Sequence, residues 1–133
     1  MTSIEYDSLD PRIEAIGREI IDSAIQVHKA LGPGLLESVY QSCMCHEFSL
    51  RKISFQKEAA VPVIYKNLRL ESGLRLDLLV EDCIILELKS VEKIIPIHES
   101  QLLTYLKITN HRLGFLLNFN VPLMKEGIKR IIL

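Results

Sequence analysis

Tryptophan is absent from the 133-residue chain and aromatic residues make up only 6% of it, which leaves little with which to stack unpaired bases. Neither charge is in excess: 16 Lys and Arg stand against 17 Asp and Glu, a formal net charge of -1. That balance excludes a histone-like or polybasic protein that holds nucleic acid through bulk charge. A mean hydropathy of +0.20, with no block of like charges, excludes an acidic disordered tail. The three cysteines, Cys43, Cys45 and Cys83, cannot all pair and are too few for a disulfide framework, so a reducing, cytoplasmic setting is expected. Cys43 and Cys45 stand two apart in a helical pattern and point to nearly opposite sides, which does not suit zinc. No apolar run approaches the roughly 20 residues of a membrane-crossing helix, and Met1 to Asp10 carries neither a basic n-region nor an apolar h-region. No membrane partner and no signal peptide are expected.

What the chain does hold is enough apolar material, 48% of residues, to bury a core. No repeat, linker or low-complexity stretch divides it, so residues 1–133 read as one domain, with 1–12 expected to be loosely ordered. Charge is unevenly spread: Glu5, Asp7, Asp10, Glu14, Glu19 and Asp22 face only Arg12 and Arg18, an acidic start on a mildly basic body. Ile16, Ile20, Ala24, Val27 and Leu31 recur at helical spacing from about Ile13, and Gly32-Pro33-Gly34 ends that helix. A second helix is expected over Leu36 to about Arg51, burying Val39, Tyr40, Cys43 and Leu50. Phe55 to Tyr65 is β-rich, Lys66-Asn67 reads as a turn before Leu68–Leu70, and Leu74–Val80 with Cys83–Lys89 reads as a hairpin. A helix over about Ile97 to Ile108 and strands at Leu113–Asn118 and Ile128–Leu133 complete an α-α-β-β-β-α-β-β order, an α/β domain with one central sheet.

The hairpin carries the most informative charges. Asp77 interrupts one apolar strand, and Glu87 and Lys89 interrupt the next, two residues apart and so on one face. Bare charges within apolar strands cost several kcal/mol unless they are paired, bind metal or reach water. One reading is a solvent-facing polar stripe with an ordinary salt bridge. The other is a divalent-cation site, since hard oxygen ligands and retained waters suit Mg²⁺ and a neighbouring ammonium steadies developing negative charge. This second reading has a geometric condition. A two-residue turn at Glu81-Asp82 would set Asp77 opposite Leu86, so a three-residue loop or a bulge is required to pair Asp77 with Glu87.

These residues resemble a known family. Asp77 followed by Glu87-Leu88-Lys89 is similar to the D…ExK core of the PD-(D/E)xK nuclease superfamily. Gly34-Leu35-Leu36-Glu37-Ser38-Val39-Tyr40 resembles the signature of its GxxExxY branch, and Gln101-Leu102-Leu103-Thr104-Tyr105 resembles the QxxxY element of λ-exonuclease-like members. The match runs in order over nearly the whole chain and includes Asn118-Phe119-Asn120-Val121-Pro122. It implies a PD-(D/E)xK nuclease-like fold, a central mixed β-sheet flanked by helices. It also implies Asp77, Glu87 and the Leu88 carbonyl as metal ligands, Lys89 as catalytic lysine, and Glu37 as the helical acid of the site. Gln101 and Tyr105, one helical turn apart, would position site and substrate; a buried amide and a core tyrosine is the competing reading. His28 lies beside the apolar stripe of the first helix, where some nucleases of this superfamily place a metal ligand; an edge-of-core histidine competes with that role. His98 shares the ambiguity.

The implied function is a Mg²⁺- or Mn²⁺-dependent nuclease that hydrolyses phosphodiester bonds, DNA before RNA. The alternative is a non-catalytic nucleic-acid- or protein-binding module that keeps the fold, consistent with scattered basic residues and few aromatics. A homodimer or partner complex through the apolar Ile128–Leu133 edge is a third reading.

Overall fold

Asp10 opens the first helix by accepting a 2.7 Å hydrogen bond from the Arg12 N–H on its side chain, and Pro11 occupies the first turn, where no N–H is needed. The computed structural model describes residues 9–133. Helix α1 spans Pro11–Leu31 and buries Ile20, Ala24 and Val27, part of the expected stripe. Of the segment expected to be loose, residues 1–8 lie outside the described residues, whereas Leu9 is buried in the core.

Helix α2 spans Glu37–Leu50 and buries Tyr40, Met44 and Phe48, spaced four apart. The expected stripe of Val39, Tyr40, Cys43 and Leu50 is corrected here, since Val39 is 38% and Leu50 66% exposed and Cys43 is half-buried. The cause is Tyr40, whose ring stacks on Phe119 at 4.4 Å and whose hydroxyl is tied to the preceding loop. With Tyr40 turned inward, the residues one and two turns on follow it.

Five strands form one sheet in the order of the chain: β1 (Phe55–Tyr65), β2 (Leu68–Val80), β3 (Ile84–Lys89), β4 (Leu113–Asn118) and β5 (Ile128–Ile132). Lys66 and Asn67 both take left-handed φ, 45° and 71°, in the two-residue turn that pairs Tyr65 with Leu68. β2 is one strand, where the sequence suggested two short runs; a register shift between Val61 and Val63 takes up the extra residues. Every neighbouring pair is antiparallel except β3 and β4, which are parallel and joined through helix α3 (Pro96–Thr109). The sheet is therefore mixed, and the fold is α/β as expected.

Helices α1 and α2 cover one face, packing Tyr40, Met44 and Phe48 on Leu78, Leu86, Phe115 and Phe119. Helix α3 covers the other, with Leu102 and Leu106 among Leu76, Ile85, Leu116 and Ile131. Both faces of β3 and β4 are thus covered, which is why Ile84–Leu88 and Leu113–Asn118 are buried without interruption. After β4 a short turn, Met124–Gly127, folds back so closely that a Cβ on Gly127 would meet the Asn118 carbonyl at 1.9 Å. Only glycine admits that approach.

Candidate active site

The β2–β3 connection is three residues long. Glu81 and Asp82 take φ of 50° and 56°, and Val80 pairs with Ile84 and Leu78 with Leu86. Extending that register by one step brings Asp77 opposite Glu87, the condition set by the sequence. At this step side chains replace the backbone ladder. The Asp77 N–H donates to Glu87 Oε2 at 3.1 Å, and the Leu88 N–H donates to Asp77 Oδ2 at 2.9 Å. Each carboxylate stands where a neighbouring strand's carbonyl would, so the strands part around the two acids. In a strand, a residue's N–H and C=O share a side, so the Leu88 carbonyl turns into the same gap. The Lys89 carbonyl turns the other way and accepts from the Phe119 N–H at 3.0 Å.

A second irregularity sits at the same level. Glu58 adopts φ 54° in the middle of β1, and the register on either side (Lys57 with Leu78, Ala59 with Leu76) sets it across from Asp77. On one side of this pair Phe55, Leu78 and Val80 pack toward α1 and α2. On the other, Ala59, Val61, Leu74 and Leu76 pack toward α3. Both strands change the face they bury at Glu58 and Asp77, and the left-handed residue supplies the twist. Gln41 on α2 clamps the kink: its Nε2 donates to Glu58 Oε2 at 2.8 Å and to the Asp77 carbonyl at 3.1 Å. Glu37, one turn earlier on α2, joins Ser38, Gln41, Glu58, Asp77 and Leu88 around a cavity of about 190 Å³.

Glu58 and Gln41 are the members that sequence reasoning missed. A two-residue turn at Lys66-Asn67, carried down an unbroken ladder, sets Gln56 across from Asp77. The shift between Val61 and Val63 moves that place to Glu58.

Burial and like charge dominate the electrostatics. Glu87 is only 6% exposed, and its carboxyl is pushed up to about 8, first by loss of water and then by the Asp77 charge beside it. Asp77 is also raised, again mainly by burial, with Glu58 and Glu37 adding repulsion; the Leu88 N–H and Lys89 act in the opposite direction. Lys89 lowers both carboxyls, yet among the described residues no ion pair of 4.0 Å or less joins it to either. From α3, Tyr105 faces the same acids: burial first and then the Glu87 and Asp77 charges hold its hydroxyl above the usual tyrosine range, with the Gln101 side chain acting in the opposite direction. The α3 face thus brings Tyr105, backed by exposed Gln101, to the acids that β2 and β3 present.

His28 is not brought to this cluster. Its ring is buried and its Nε2 meets the Val121 carbonyl at 2.8 Å, tying α1 to the loop after β4. That bond is structural, and His28 does not line the cavity around Asp77. His98 is likewise engaged, its Nδ1 accepting from the Ile95 N–H at the start of α3. The Gly32–Gly34 turn does carry Glu37 to the sheet: both glycines take left-handed φ, 74° and 94°. The Tyr40 hydroxyl donates to the Gly32 carbonyl at 2.6 Å and accepts from the Leu35 N–H at 3.1 Å. Ser90, just after β3, donates to the Leu35 carbonyl at 2.6 Å, and buried Asn118 holds both the N–H and the C=O of Val91.

Among the described residues no three His, Cys, Asp or Glu side chains are close enough to hold an ion by themselves. The donor set nevertheless fits a hard cation that keeps part of its water shell. Asp77 and Glu87 each spend one oxygen on a backbone N–H and leave the other open, the Leu88 carbonyl faces the same gap, and Glu87, its carboxyl raised to about 8, holds a proton that a cation can replace. No described helix is long and apolar enough to cross a membrane.

A family model described as the PD-(D/E)XK nuclease superfamily matches residues 14–131. No curated protein and no solved structure matches the chain.

Proposed function

The chain belongs to the PD-(D/E)XK nuclease superfamily, and from that membership and the paired carboxylates we propose a divalent-metal-dependent nuclease of its GxxExxY branch, cutting DNA in preference to RNA. The observation that carries the reading is the pair of bonds from the Asp77 N–H to Glu87 and from the Leu88 N–H to Asp77, which fixes two acids side by side in an apolar sheet. Left alone, such a pair is costly; a cation between their open oxygens removes the cost.

Asp77, Glu87 and the Leu88 carbonyl would hold Mg²⁺ or Mn²⁺, with Glu37 reaching it through water across the shared cavity. A divalent cation supplies charge neutralisation at the phosphate and a more acidic water. Lys89, free of any close carboxylate partner among the described residues, would orient the attacking water and meet charge developing on the phosphate. Tyr105 donates its hydroxyl proton toward the phosphate oxygens, and Gln101, one turn before it on α3, contacts the substrate beside it. Gln41 and Glu58 hold the kink that keeps Asp77 turned into the gap.

The test is a Mg²⁺ and Mn²⁺ titration of cleavage on single-stranded DNA, duplex DNA and RNA, comparing wild type with Asp77→Ala and Lys89→Ala. Metal-dependent cleavage that both substitutions remove is the expected result. Absence of cleavage with either metal, or cleavage that survives both substitutions, sinks the catalytic reading in favour of a binding module with the same fold.

A further inference from the structure

Glu37 also walls a second hollow of about 280 Å³, bounded by Gly34, Leu35, Ser90 and Asn120. One residue back along the first loop, and two residues on along the second, lies a cavity of about 500 Å³ between Gly32-Pro33 and Pro122–Lys125. The same two segments, 32–37 and 120–125, thus border both the smaller hollow and this larger cavity. His28 fixes its width, since the bond to the Val121 carbonyl fastens the second loop to α1.

Chemical character differs between the acidic cavity and this larger one. Around the first gather Glu37, Glu58, Asp77 and Glu87, whose charges repel a phosphate unless a cation lies among them. The second is walled by Ile25, Pro33, Leu123 and Met124, with the ammonium groups of Lys29 and Lys125 beside them. Both lysines are exposed, and neither forms an ion pair with another described residue. Its volume lies in the range of small-molecule sites. Apolar walls beside two unpaired cations match the two halves of a nucleotide, a flat base and its anionic phosphates.

We propose that this cavity is a subsite for one unpaired nucleotide of the strand that is cut, held beyond the hollow beside Glu37. Its base rests on Ile25, Pro33, Leu123 and Met124, and its phosphates meet Lys29 and Lys125. The inference rests on the nuclease reading and narrows its substrate to a strand that is single or frayed near the cut, because a base enters a cavity only after leaving its pair.

The test is direct binding, independent of cleavage. A fluorescein-labelled single-stranded DNA 12-mer is titrated by anisotropy, at several salt concentrations, against Asp77→Asn protein with and without Lys29→Gln/Lys125→Gln. Both lysines are on the surface, so a matching circular dichroism spectrum confirms the fold of the variant. Loss of two phosphate contacts is expected to raise Kd about tenfold and to flatten the salt dependence by roughly 1.4 in log–log slope. Lys107→Gln on α3 is the control and changes neither. In an abasic scan of the 12-mer, affinity is expected to fall at one or two adjacent positions only. An unchanged Kd and slope in the double variant, a flat abasic scan, or no binding at all overturns the subsite. Lysine-dependent binding by a wild type that never cleaves overturns the nuclease reading alone, so the two failures are distinct.

Discussion

The backbone N–H of Asp77 donates to Glu87 Oε2 at 3.1 Å, so a residue of one strand is held by the side chain of its opposite number on the next. Ten residues separate them in the chain, and the three-residue Glu81–Cys83 loop sets the register that lets them meet. Deleting Ile85 within β3 keeps that loop but slides the rest of the strand by one place, so Leu88 comes across from Asp77 and Glu87 turns to the opposite face. The deletion is expected to abolish Mn²⁺ binding measured by calorimetry, while Asp82→Gly, which keeps the loop length and suits the left-handed φ, leaves binding intact.

Burial of Glu87 makes stability depend on pH in a defined direction. With its carboxyl raised to about 8 in the fold against an ordinary value of 4.5, the native state holds a proton that the unfolded chain releases between those values. Without metal, stability from this group therefore falls as pH rises from about 4.5 to 8 and levels off above. Glu87→Gln keeps the acceptor for the Asp77 N–H and removes the charge. It is expected to leave metal-free stability nearly unchanged at pH 5 and to raise it by up to about 5 kcal/mol at pH 9, read from urea unfolding at both values.

The same proton must leave when a cation binds. Mn²⁺ affinity is expected to rise with pH up to about 8 and then to plateau, with net proton release below that value. Calorimetry in buffers of different ionisation enthalpy measures the protons directly; affinity independent of pH between 6 and 8 would show that Glu87 is not a ligand.

Lys89 separates chemistry from metal holding. Because no carboxylate lies within ion-pair distance of it among the described residues, Lys89→Ala is expected to leave Mn²⁺ affinity within about threefold of wild type while lowering kcat on the order of a hundredfold. Asp77→Asn is expected to lower both. Single-turnover cleavage alongside a metal titration distinguishes the two variants.

How much of this was legible in the chain depends on how local each determinant is. Helix ends at Gly32 and the turn at Lys66-Asn67 are set by left-handed residues that a reader can spot, and the three-residue loop follows from asking two charged residues to share a face. The buried stripe of α2 was misjudged because the inward turn of Tyr40 is decided by Phe119 and by the Gly32 carbonyl, neither of which is local to it. His28 looked available because its partner, the Val121 carbonyl, lies 93 residues on. Glu58 stayed hidden behind a register shift that no residue pattern between Val61 and Gly73 announces.

Glu58 is accordingly the sharpest test of what the fold adds to the sequence. Its charge raises both Asp77 and Glu87, and its carboxylate is clamped by Gln41, which also holds the Asp77 carbonyl. Removing that charge lets both acids ionise at lower pH. Glu58→Gln is therefore expected to move the pH at which Mn²⁺ binding reaches its plateau downward, without abolishing binding. Gln41→Leu removes the clamp and keeps the charge, so it is expected to weaken Mn²⁺ binding with no downward shift of the plateau. Identical pH profiles for wild type and Glu58→Gln would show that the Glu58 charge does not reach the paired acids, and its left-handed place in β1 would then serve the kink alone.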